Sequence, residues 1–218
     1  DTSSKTVYVW MSDSKAPGDR VSIGQVDTGI DIGGASYVTI DGIAVRNTRT
    51  GIRLHQAYNI ALRNLIMEDI LGRGVDANQS ASDEIGTSRF ARIGQEAISG
   101  EGAGYDLSNF SIHDNDISEI GVMLNGKAIT SLPGAIRAAI HPGAGATVTR
   151  NRIYGTSLNG IMPLQNNVVS ENLIENTCLV LDDCGGIYVP GLLGITSTSV
   201  IDHNIVRHVV GSQAGQPP

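Results

Sequence analysis

Apolar and polar residues alternate along this chain in short runs that return at a nearly fixed interval. One recurring unit is an apolar residue, two variable positions, a small polar residue, one variable position and a second apolar residue. Its copies are Val38-Asp41-Ile43, Ala61-Asn64-Ile66, Ile85-Ser88-Phe90, Ile112-Asn115-Ile117, Val148-Asn151-Ile153, Val169-Asn172-Ile174 and Ile201-Asn204-Val206. A second unit, a small residue followed by a β-branched one, falls between them: Gly29-Ile30, Gly51-Ile52, Gly74-Val75, Ala97-Ile98, Ala139-Ile140, Gly160-Ile161 and Gly186-Ile187. Successive copies of this second unit are 22, 23, 23, 42, 21 and 26 residues apart.

A period of this length built from short alternating runs, with no competing 3.6-residue periodicity, predicts an all-β parallel solenoid whose coils pair with those above and below. Leucine-rich repeats share the period but need a leucine framework that is absent. The Ile and Val positions are expected to stack inward. The recurrent Asn is expected at a bend, bonding its own backbone and the Asn of the neighbouring coil. About seven coils at about 4.8 Å each give a rod of about 34 Å. Residues 1–28 do not match the repeat and are expected to cap the first edge; residues 29–210 form the coils. The doubled interval between Ala97 and Ala139 predicts an insertion around 121–137, and residues 211–218 read as a tail after which further coils are expected.

Composition explains how such a core is built. The chain has 27 glycines in 218 residues, well above the usual share of about 7%, but one Trp, six Tyr and two Phe, so Ile, Leu and Val must fill the interior. The net charge of −7 leaves no basic stripe for a nucleic-acid backbone, and no apolar run is long enough for a membrane-spanning helix. Cys178 and Cys184 form either a local disulfide or two buried thiols.

Residues that follow each inward Ile or Val should face outward. They form the stripe Asp31, Arg53, Asp76, Ser99, His141, Met162 and Tyr188, and two positions on lies a second row that contains His55, Asn78 and Glu101. Groups of this kind repeated at about 4.8 Å suit a hydroxyl-rich polymer. Arg53, His55, Asp76, Glu101 and Tyr188 are therefore candidate substrate-binding residues, with Asp202 and His203 on the last coil. Adjacent carboxylates at Asp182 and Asp183 repel unless they bind something or one is protonated. Such a pair can supply acid and base for glycoside hydrolysis, hold calcium, or sit in a solvated turn. A second catalytic candidate is His141, close in sequence to Lys127 and Arg137, a set suited to proton abstraction beside a uronate carboxylate. The five histidines show no paired metal-ligand spacing.

The Asn-x-Ile repeats and Gly-Ile strands of residues 29 to 210 resemble the right-handed parallel β-helix of the pectate-lyase-like superfamily. Within it, Leu181-Asp-Asp-Cys-Gly-Gly-Ile187 is similar to the Asp-Asp-Cys-x-x-Ile segment of polygalacturonase-type glycoside hydrolases. That likeness implies catalytic roles for Asp182 and Asp183. The Gly-His-Gly and Arg-Ile-Lys elements of polygalacturonases are missing, and the acid in Val26-Asp-Thr-Gly-Ile-Asp-Ile32 is displaced from their Asn-Thr-Asp-Gly element. The resemblance implies a secreted or cell-surface enzyme that degrades a polysaccharide by hydrolysis or uronate lysis. The alternative is a non-catalytic β-helix module for glycan binding, adhesion or surface structure.

Overall fold

Short strands bounded by turn residues cannot bury a face alone, so each coil of this chain depends on its neighbours. A computed structural model describes residues 13–16, 24, 26–77, 79–100, 109–122, 138–190 and 198–211. The expected cap lies mostly outside the described residues, as do Asn78, Glu101, Lys127, Arg137, most of the expected insertion and the tail after Gly211.

The described strands form three parallel sheets. The first contains Thr28–Gly33, Thr50–His55, Val75–Asp76, Ile98–Ser99, Ala138–His141 and Asn159–Ile161, extended by a bridge from Ile161 to Ile187. The second runs from Thr39–Asp41 to Val200–Asp202, and the third from Ala44–Arg46 to Ile205–Val209, each with seven strands. Each coil contributes one strand to every sheet, which makes a parallel β-helix.

The Gly-Ile units stack as the spacing predicts. Ile30, Ile52, Val75, Ile98, Ile140, Ile161 and Ile187 pair in one column. The small residue before each is required by the next coil. A Cβ on Gly74 would stand 2.5 Å from the Ala97 carbonyl oxygen, and one on Gly160 the same distance from that of Gly186.

The Asn units stack as expected from Ser88 onward, but the register differs from expectation by one residue in the second coil and by two in the first, where Ile40 and Val45 take the places expected for Val38 and Ile43. Leu62, not Ala61, pairs with Ile85, and Ile40 pairs with Leu62. The bend column therefore passes through Leu65 rather than Asn64, and Asn64 faces outward, donating to Asp41 at 2.8 Å. A slip of one residue exchanges the two faces of a strand. The observed register buries Leu62, Leu65 and Met67 completely, more apolar area than Ala61 and Ile66 offer in the same places.

From Ser88 on, the bend column is a ladder of side-chain amides. Asn115 donates to Asn151 at 2.9 Å, Asn151 to Asn172 at 3.0 Å and Asn172 to Asn204 at 2.9 Å. Each carbonyl oxygen also accepts the backbone N–H of the preceding coil's column residue, so that buried bends keep their polar groups paired. Along Val200–Asp202 and Ile205–Val209 all residues are exposed, including Ile201, Ile205 and Val206.

Candidate functional site

The outer face of the first sheet carries the stripe read from the sequence. Asp31, Arg53, Asp76, Ser99 and His141 are paired residue on residue, and Met162 and Tyr188 follow in the same column through Ile161 and Ile187. Their side chains are about 4.8 Å apart along the rod, the coil-to-coil spacing of a sheet.

Exposure along the column is uneven, and this corrects the expectation of an open stripe. Asp31, Arg53 and the neighbouring His55 are exposed, Asp76 and Tyr188 are half-buried, and Ser99, Met162 and His141 are buried, His141 completely. An outward side chain stays solvated only where no other chain crosses it, and strand alternation carries no information about such crossings.

At the open end, Arg53 donates to Asp31, and its guanidinium holds the Asp31 carboxyl below the usual carboxylate range. At the covered end the pairing is denser. Arg73 Nε donates to Glu96 at 2.9 Å and its Nη1 to Asp76 at 3.0 Å. Glu96 is buried, as is Ser99, whose hydroxyl has no hydrogen-bond partner among the described residues and lies in the column between Asp76 and His141. Guanidinium, two carboxylates, hydroxyl and imidazole thus share a few square coil spacings of one face. Of that set Arg73 and Asp76 keep partial exposure, whereas Glu96, Ser99 and His141 are buried. Arg73 and Glu96 were not singled out by sequence reasoning. Both stand two positions before an inward residue, Val75 and Ile98, just ahead of the strands that begin there, where alternation gives no signal of direction.

The Asp182–Asp183 turn lies past the other end of the column. A disulfide between Cys178 and Cys184 closes it, which resolves the two readings of these cysteines. Both aspartates are exposed, and Asp183 adopts a left-handed backbone with φ 57°. The Tyr188 hydroxyl reaches the Asp183 carboxylate at 3.5 Å, which ties the turn to the column.

Asp202 and His203 are not brought to this face. Asp202 ends a second-sheet strand, pairs with His203 at 3.2 Å, and is held below the usual carboxylate range by the Ser170 hydroxyl and then by His203. A residue placed on the same coil as a site is not thereby on the same face, because each coil turns through three sheets. Among the described residues no three His, Cys, Asp or Glu side chains converge as a metal site. No helix of the described residues is long and apolar enough to cross a membrane.

A family model described as a right handed beta helix region matches residues 28–214. No curated protein and no solved structure matches the chain.

Proposed function

The chain belongs to the right-handed β-helix family, and from that premise we propose that it is a secreted or cell-surface protein that binds a polysaccharide along its first sheet and cleaves it by carboxylate acid/base chemistry. The observation that supports this reading is the register that stacks Asp31, Arg53 and Asp76 outward on successive coils, with Tyr188 beside Asp183 farther along the same column. A linear polymer laid along the rod would meet Asp31, Arg53 and Asp76 on successive coils and Tyr188 near the other end. Asp182 or Asp183 would protonate the glycosidic oxygen while a second carboxylate takes a proton from the attacking water, and the Tyr188 ring offers a face for the sugar. The short disulfide loop agrees with an oxidising compartment.

The non-catalytic alternative has an observation of its own in the exposure of both Asp182 and Asp183, which is expected of a solvated turn. One experiment separates the readings. The protein is incubated with acidic and neutral polysaccharides, and new reducing ends and ultraviolet-absorbing unsaturated ends are measured. Hydrolysis that falls at least 100-fold in Asp183→Asn, with an unchanged circular dichroism spectrum, supports the enzyme reading. Unsaturated ends would move the chemistry to uronate lysis and to His141. Binding without any turnover would leave a glycan-binding module.

A further inference from the structure

Each of the first six second-sheet strands is preceded, three residues before its inward residue, by a left-handed backbone position. The residues there are Tyr37, Asn59, Ser82, Asn109, Gly145 and Asn166, with φ between 50° and 74°. Asn, Ser and Gly accept this conformation through small size or local hydrogen bonding, whereas a bulky aromatic residue is strained in it. Tyr37 is the exception in the column, with φ 60°. The strain is not offset by packing, because the residue is 83% exposed.

Tyr58, on the next coil, is 49% exposed. The two backbones are tied together: Tyr37 N–H donates to the Tyr58 carbonyl and Tyr58 N–H to that of Ala35, each at 3.1 Å. Two of the six tyrosines therefore stand at one corner of the rod, in a chain with few aromatics. That corner follows directly on the first-sheet strands that end at Gly33 and His55, so the exposed Asp31, Arg53 and His55 lie on the same two coils. Exposed aromatic faces beside hydroxyl-binding groups match a pyranose ring, which is apolar on its C–H face and polar at its rim. Retained strain at an exposed residue points to use rather than stability.

We propose that Tyr37 and Tyr58 form a stacking platform for sugar rings at the first-coil end of the glycan path. This rests on the glycan reading above and adds the place where the polymer is gripped. The probe is native affinity electrophoresis of the purified protein through gels that contain polygalacturonate, alginate, arabinoxylan or mixed-linkage glucan. Tyr37→Asn installs the residue type found at the same backbone position in three other coils, at Asn59, Asn109 and Asn166. It should leave the melting temperature equal or higher while weakening retardation about tenfold. Tyr58→Ala should weaken it similarly, and Tyr37→Phe should retain it. If both Tyr37→Asn and Tyr58→Ala are retarded like the wild type, the platform is refuted and the glycan reading stands. Loss of retardation in Tyr37→Asn accompanied by a lower melting temperature would assign Tyr37 a structural role and overturn the platform. If the wild type is retarded by none of these polymers, the glycan reading fails and the platform fails with it.

Discussion

Replacing Asn151 with Ala tests the claim that the amide ladder, rather than apolar stacking alone, holds the bends together. The Asn151 carbonyl oxygen accepts the Asn115 backbone N–H at 3.1 Å and the Asn115 side-chain amide at 2.9 Å. Its own amide donates to the Ile112 carbonyl at 3.0 Å, the Thr149 carbonyl at 3.1 Å and the Asn172 side chain at 3.0 Å. Truncation leaves the Asn115 N–H without its acceptor in a bend only 2% exposed, a loss of about 1 to 3 kcal/mol. The Asn115 amide keeps the Ile85 carbonyl at 3.0 Å, and Asn172 keeps the Asn151 backbone N–H at 2.9 Å, so these groups suffer less. With the small cavity left behind, the cost is about 3 kcal/mol, a large share of the roughly 5 to 15 kcal/mol that holds a domain together. Urea unfolding followed by circular dichroism measures this loss, and hydrogen exchange should show faster exchange at the Asn115 amide. The control is Asn64→Ala, which removes an exposed bond to Asp41 and should cost under about 1 kcal/mol. Equal losses at the two sites, or a loss below about 1 kcal/mol at Asn151, would refute the ladder as a source of stability.

Three further outcomes are expected. Gly160→Ala should destabilise by roughly 1 to 3 kcal/mol in the same urea assay, because the added Cβ would meet the Gly186 oxygen at 2.5 Å and Ile174 Cγ2 at 2.6 Å; a neutral effect would mean that the coils can separate without cost. The double substitution Cys178→Ser with Cys184→Ser should lower stability by about 2 kcal/mol through the freed six-residue separation, and thermal melting that matches the wild type would show that the turn is held by other contacts. Burial raises the Asp83 carboxyl above its ordinary range, opposed by the Ser80 hydroxyl and the Ile60 N–H. The folded protein therefore holds that proton more tightly than the unfolded chain, and stability is lost as pH rises from the ordinary carboxylate value through the folded one. Asp83→Asn should be the more stable protein at pH 7, with the gap closing toward pH 3, and a gap independent of pH would contradict this.

The polar column on the outer face of the first sheet was partly legible in the chain. Alternation placed Asp31, Arg53 and Asp76 outward in one column, and the pairing agrees. It did not show that Ser99 and His141 are buried, because burial of an outward side chain is a long-range property. Nor did it unite Arg73 with Asp76 and Glu96, since that contact needs side chains from two coils. Asp202 and His203 lie in and after a second-sheet strand, a placement the sequence left open because proximity along the rod does not choose the sheet.

By itself the sequence determined the period, the inward Gly-Ile column and the side-chain role of the Asn series, because each repeat restates the same local demand and the copies reinforce one another. Tertiary structure decided the register of the first two coils. There Asn64 and Leu65 are adjacent, either could have occupied the bend, and the local pattern favoured the polar one. The choice fell to the face that buries Leu62, Leu65 and Met67 against the neighbouring coils, an apolar gain that exists only once the coils are stacked.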